Sequence, residues 1–386
     1  MTIANSASNR VAGTRDQVLQ ILELLKSRMQ WSEARSLISG TSLHVSRGWT
    51  ETIDSATESV HSDAVWEAAY KILLKPARLH TFVGNKRLSI FDMRAQTEPV
   101  RKRLFDWAAG SAINDLAKVI NNSPFDVISA PTDEDVLEVY KRPPPKLIEA
   151  RLVKGKLYLQ FFSARTYTKR EPIEISLMTP RQQRVFAEYD QIIGVKTQAV
   201  PCFDTVVVDP VTELVQIRVD FQPGMVESKE TSAFSLAVTE FNRITEKFIS
   251  RSALGAGIVN MHPAIDPLYR DQDCGRVTTL GFVATGKSSS SNNRGQLHRN
   301  KTKDFRKDEF HTGGKNNVQR IDPYAIGITW ENAQPKRDLY LEIHGSARAI
   351  YQGKLRMTTV ASVVGCADAG DFDFVVDNVL KRIKRS

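Results

Sequence analysis

The spacing of apolar residues changes near residue 146, and the change divides the chain in two. Before it, apolar positions recur three and four apart. Val18, Ile21, Leu22, Leu25 and Met29 follow Thr14, Val65, Trp66, Ala69, Ile72 and Leu73 follow Ser62, and Val100, Leu104, Phe105 and Trp107 follow Pro99. Each set falls on one face of an α-helix, and Thr, Ser and Pro suit helix starts, where the first N–H groups need a cap or need not exist. Shorter helices are predicted over 32–40 and through Leu116, Val119 and Ile120. Residues 79–91, two apolar runs around Gly84-Asn85, read as a small hairpin or extended loop. The first two helices have the spacing of a helix-turn-helix, a pattern that suits any helical domain equally well.

After residue 146 the period becomes two. Segments 147–153 and 157–162 flank Lys154-Gly155 as a hairpin, and 203–208 and 214–221 flank Asp209-Pro210 as another. In the second hairpin Val215, Ile217, Val219 and Phe221 alternate with Gln216, Arg218 and Asp220, the pattern of a sheet with one buried face. A short helix is predicted over 185–193. A long one runs from Ser232 to about residue 250, with Phe234, Val238, Phe241, Ile244 and Phe248 placed to cover the sheet. Strands follow at 277–285, 325–330 and 339–344, then a hairpin over 347–364 turning at Gln352-Gly353. A last helix, 371–383, buries Phe372, Val376, Val379 and Ile383. Its basic end, Lys381, Arg382, Lys384 and Arg385, complements the helix dipole without any outside partner.

The predicted fold class is therefore α+β. A mainly helical N-terminal domain (14–125) is joined by an acidic, Pro-rich linker (126–146), holding Asp133-Glu134-Asp135 and Pro143-Pro144-Pro145, to an antiparallel-sheet-rich domain (147–386). A hydrophobic fraction of 41% and a charged fraction of 25% are those of an ordinary globular chain. No run approaches the ~18–20 apolar residues of a membrane span, so no membrane partner is expected, and the default location is intracellular and cytoplasmic. Cys202, Cys274 and Cys366 are odd in number and far apart, which indicates neither a disulfide framework nor a zinc site.

Charge adds a functional direction. Of the net +9, residues 287–320 hold +6, with nine basic residues against Asp304, Asp308 and Glu309. This Ser/Asn-rich stretch reads as a long disordered basic loop, and Lys287, Arg294, Arg299, Lys301, Lys303, Arg306 and Lys307 are its candidate phosphate contacts. Two smaller features point the same way but have plainer readings. Arg101-Lys102-Arg103 is also what a solvated helix face looks like, and Tyr158, Phe161 and Phe162 among Arg151, Lys154 and Lys156 are also what a half-buried hairpin looks like.

The same stretch opens on an octet, 281–288, that fits G-x-x-x-x-G-K-[ST]. In a phosphate loop Gly281 and Gly286 would free backbone N–H groups for the phosphates, Lys287 would reach their outer oxygens and Ser288 would hold magnesium. Such a loop must lead straight into a helix, and Ser289 to Gly295 is a poor helix sequence. A metal-dependent nuclease is a second enzymatic alternative. Asp209 followed by Gln216-Ile217-Arg218 has the layout for it but not the second carboxylate or the lysine. The seven histidines form no ligand pattern, and no nucleophile motif or dinucleotide fingerprint occurs, so neither a metal nor a cofactor is expected and no catalytic residue is named. The sequence thus points to a non-enzymatic protein that binds DNA or RNA, largely without regard to sequence, through a flexible basic loop. A nucleic-acid-directed enzyme and a protein-assembly subunit with protein partners remain as alternatives, and a DNA ligand would imply the nucleoid or nucleus.

Overall fold

The period-two segments become strands of one antiparallel sheet and the three-to-four spacing becomes helices, which gives an α+β fold. The structure, a computed structural model, describes residues 2–3, 14–26, 28–120, 141, 144–221, 227–286, 295–299, 303–332, 337–352 and 357–383. Its strands are β1 (Thr2–Ile3), β2 (Lys86–Asp92), β3 (Lys146–Val153), β4 (Lys156–Ile173), β5 (Ile192–Asp209), β6 (Leu214–Asp220), β7 (Arg276–Gly286), β8 (Gly295–Arg299), β9 (Val318–Asn332), β10 (Arg337–His344) and β11 (Ala361–Val364). They lie in the order β1-β3-β4-β5-β6-β2-β11-β10-β9-β7-β8. The helices are α1 (Arg15–Lys26), α2 (Trp31–Ile38), α3 (Trp49–Glu58), α4 (Asp63–Val83), α5 (Glu98–Ala109), α6 (Ala112–Ile120), α7 (Pro180–Val185), α8 (Glu227–Ile249), α9 (Ile265–Arg270), α10 (Glu309–Asn317), α11 (Ala347–Tyr351) and α12 (Ala369–Ile383). None of the described helices is long and apolar enough to cross a membrane.

Three apolar cores hold the layers together. One face of β3–β6 is covered by α5, α6 and α8, where Leu104, Leu116, Phe241 and Ile244 meet Leu159, Phe161, Val206 and Ile217. The opposite face of β3–β5 is covered by α1–α4, where Leu22, Ile38, Ile53 and Leu73 meet Ile148, Phe162 and Phe203. Strands β2, β11, β10, β9 and β7 pack against α9 and α12 through residues that include Leu88, Leu341, Ile328, Leu280, Leu268 and Phe372. The predicted stripes of α1, α5, α8 and α12 pack into these cores, and that of α4 does so except for Ile72, which is exposed, so burial of one apolar face supplies the stability that short helices lack alone.

Several expectations change. Residues 14–120 are not segregated from the sheet, because they contribute β2, a central strand between β6 and β11. The segment 79–91 is not a hairpin: α4 continues through Pro76 to Val83, and the chain then enters β2. Proline removes one i→i−4 bond, here to the carbonyl of Ile72, a residue on the exposed side of α4. Buried Trp66, Ala69, Leu73 and Ala77 meanwhile keep both halves of the helix against the core. The helix placed over 185–193 ends at Val185, and β5 starts at Ile192. Helix α3 had no prediction, and α11 replaces the first strand of the hairpin expected over 347–364. Most of the linker lies outside the described residues, with β3 already under way at Lys146. The Lys154-Gly155 turn is as expected: both residues have positive φ (49° and 78°), the geometry that two-residue hairpin turns require.

The largest difference concerns β6, which is buried on both faces. Gln216, Arg218 and Asp220, placed in solvent by the alternation, sit beneath α4, α12 and the end of α1. Arg218 lies 3.7 Å from the ring centroid of Phe372, and Asp220 pairs with Arg28 at 2.6 Å and with Lys86 on β2. The Lys86 ammonium also donates to the carbonyls of Thr81 and Phe203, so its three protons have three acceptors. Burial alone would raise the Asp220 carboxyl, but the Arg28 and Lys86 cations outweigh burial and hold it at about 2. One rung away Asp204 accepts from the Asp220 backbone N–H and pairs with Arg165, which completes a buried network tying β4, β5, β6, β2 and α1. Alternation reports which face is apolar; it does not report that the polar face will find partners and be covered.

Candidate nucleic-acid interface

The stretch from Arg276 to Ile321 folds into a lobe at the end of the sheet, and much of what was read as a disordered loop is ordered within it. Residues 295–299 form β8, which returns along β7 in antiparallel register, with Gly281 opposite Leu297 and Thr279 opposite Arg299. Asp304 caps a turn of helix over Phe305–Lys307, Asp308 caps α10, and β9 leaves from Val318. Residues 287–294 and 300–302 lie outside the described residues, and Lys287, Ser288, Arg294 and Lys301 with them.

This geometry removes the phosphate-loop alternative at its first half. Gly281 is a mid-strand residue flanked by β8 and β9, and Gly286 ends the same strand, so the backbone between them is committed to ladders rather than wrapped around an anion. Gly281 has a packing reason: a Cβ there would stand 2.7 Å from the ring of Tyr324 and 2.9 Å from the methyl of Ala325. The nuclease layout fares no better. Asp209 Oδ1 accepts from the backbone N–H groups of Val211 and Thr212 and its other oxygen meets Lys156 at 3.2 Å, while Gln216 Oε1 accepts from the Arg218 guanidinium. Among the described residues no group of three His, Cys, Asp or Glu could hold a metal ion. Phe161, Phe162 and Tyr158, a possible stacking platform, are core residues, and the Arg101-Lys102-Arg103 face is engaged with Glu213, Asp106 and the Ile249 carbonyl.

The basic candidates divide by burial. Arg306 is 2% exposed and makes a two-pronged ion pair with Asp304, at 3.0 and 2.7 Å, while also donating to the carbonyls of Asp271 and Gly275. That pairing outweighs burial and holds the Asp304 carboxyl below its ordinary value. Arg306 therefore staples the lobe to the loop after α9 and is not a surface contact. Arg299 is exposed and meets Glu342 at 3.1 Å, and Lys303 and Lys307 are exposed.

Between these cations lies a cleft of about 330 Å³ that sequence reasoning missed. It is lined by Phe282 and Ala284 from β7, His298 from β8, Phe305, Asp308, His311 and Lys315 around α10, and Val318 and Ile321 from β9. His298 stacks on Phe282 at 5.7 Å with rings 15° apart, and His311 meets the same phenyl ring edge-on at 5.5 Å. His311 Nε2 and Tyr269 Oη are 2.8 Å apart, and the Lys315 ammonium lies 5.5 Å from the Tyr269 ring centroid. Burial, together with the Lys315 ammonium alongside, lowers the His311 pKa below the ordinary imidazole value, which favours the neutral ring at pH 7. A shallower depression lined by Lys303, Asp304, Lys307, Asp308 and Glu309 adjoins the cleft at Asp308. The histidines are thirteen residues apart and share no motif; the β7–β8 pairing sets His298 on Phe282, and α10 brings His311 to the same ring, with Tyr269 arriving from α9. No protein-family model matches the chain and no curated protein matches it in sequence, so the lobe is read from its own chemistry.

Proposed function

We propose that this chain is a non-enzymatic nucleic-acid-binding protein that holds the phosphate backbone on its β7–β9 lobe. The observation that carries the reading is the placement of charge. Residues 287–320 hold +6 of the chain's +9, with Lys315 exposed in the lining of the cleft and Lys303 and Lys307 exposed in the depression that adjoins it at Asp308. Cations grouped at that density release condensed counterions when a polyphosphate arrives, which gives affinity that is salt-dependent and largely indifferent to sequence. Lys287, Arg294, Lys301, Lys303, Lys307 and Arg299 are the contacts proposed, with Lys315 added at the cleft; Arg306 acts only by shaping the lobe. Such a partner implies an intracellular, cytoplasmic location, or the nucleoid or nucleus if it is DNA. The test is a titration of DNA and RNA at two salt concentrations against the wild type and the triple variant Lys303→Glu, Lys307→Glu, Lys315→Glu. Affinity should fall at least ~10-fold at low salt and the salt slope should shrink by about 2. An unchanged affinity and slope overturn the reading.

A further inference from the structure

The cleft within the lobe has features that phosphate binding does not need. Cations alone would serve a polyanion, yet here the slot is largely apolar and walled by flat rings, those of Phe282, His298, Phe305 and His311, with Asp308 and Lys315 in its lining beside the two imidazoles. We infer that this slot takes one unpaired base of a single-stranded nucleic acid, while the lysines around it hold the flanking phosphates. The inference rests on the nucleic-acid reading above and sharpens its ligand from any polyphosphate to an unpaired strand.

Size, surface and polarity each support the assignment. About 330 Å³ is at the small end of ligand clefts, which run roughly 300–1,000 Å³, so it has room for one planar group rather than a run of stacked bases. The rings supply what a base face requires, and stacking of this kind tolerates any base. The polar groups suit a base edge better than a phosphate. Asp308 uses Oδ1 to accept the His311 backbone N–H at 3.0 Å, and a carboxylate oxygen repels phosphate but accepts from an exocyclic amine or ring N–H. His311, whose neutral form is favoured at pH 7, adds little charge for a phosphate to seek. Lys315 stands in the lining itself and Lys303 and Lys307 in the adjoining depression, so cations flank the slot and do not fill it. A base held in a duplex cannot reach such a slot without leaving its stack.

The experiment compares four ligands by fluorescence anisotropy at one salt concentration, the intact and abasic strands being matched in phosphate content. They are a single-stranded 12-mer, the same 12-mer with abasic sites throughout, its duplex, and a free nucleoside monophosphate as competitor. The intact single strand should bind roughly 10-fold tighter than the abasic strand, the scale of one stacked base. His298→Ala should abolish that difference without changing affinity for the abasic strand, and His298→Phe, which keeps a ring on Phe282, should retain it. Equal binding of intact and abasic strands overturns the inference and leaves the nucleic-acid reading standing. Loss of binding to every nucleic acid at low salt removes both. A monophosphate that competes as well as the 12-mer makes the ligand a free nucleotide and overturns the assignment to a strand.

Discussion

Two cation-rich regions of this protein use the same residue types to opposite ends. Around Asp220, the charges of Arg28, Lys86, Asp204 and Arg165 are buried and each cation meets a carboxylate directly. In the β7–β9 lobe Arg306 is treated that way, whereas among the described residues Lys303, Lys307 and Lys315 remain at the surface, Lys315 in the lining of the ring-lined slot and the other two in the depression beside it. A buried charge that loses its partner is costly, so the first region is fixed by its own pairing. Surface lysines gain little from neighbouring acids and keep their electrostatic attraction for something larger. Counting basic residues cannot separate the two regions; burial does.

Substitutions should widen or erase that contrast. Asp220→Ala leaves Arg28 and Lys86 buried without their shared carboxylate and should cost about 3–5 kcal/mol, read from the urea midpoint. If it costs under ~1 kcal/mol, the network is not what fixes β2 against β6. The same carboxyl predicts an acid limit. Its folded value of about 2 lies below the ordinary 3.8, so its contribution is complete above pH ~4 and is lost as pH falls toward 2. On the order of 2 kcal/mol should disappear over that window in the wild type, and the dependence should flatten in Asp220→Asn. Arg306→Ala should cost about 2–3 kcal/mol and raise amide exchange across 295–320, since it strands a half-buried Asp304 and two carbonyls. Lys307→Glu, at the same lobe but exposed, should leave the midpoint within about 0.5 kcal/mol, so stability responds to the arginine and not to the lysine. Gly281→Ala should cost roughly 1–2 kcal/mol by pressing on Tyr324, and any nucleic-acid affinity should follow the fraction folded.

Much of the architecture was legible where period and chemistry agreed. The stripes of α1, α5, α8 and α12, the hairpins at Lys154-Gly155 and Asp209-Pro210, and β7, β9 and β10 all follow from apolar spacing and turn residues, signals that are local in the sequence. Elements went unread where tertiary packing overrode a local signal. Pro76 looks like a helix end but sits inside α4, and Gly84-Asn85 looks like a hairpin turn but joins that helix to β2. Of the candidate site, the sequence located the cationic stretch and named Lys303 and Lys307 as candidate phosphate contacts, and the structure leaves both at the surface. It grouped Arg306 with them, because an arginine two residues from an aspartate reads the same whether the pair is buried or solvated.

By itself, then, the sequence determined the charge of the 287–320 stretch and the class of most elements, both properties of neighbours along the chain. Only the tertiary structure decided that β2 enters the middle of the sheet, that Gln216, Arg218 and Asp220 face partners instead of water, and that His298, His311 and Tyr269 meet around one slot. The physical reason is common to all three. Burial and pairing are set by which strands lie side by side, and β2 reaches β6 across more than a hundred residues of sequence, just as Tyr269 reaches His311 across forty-two.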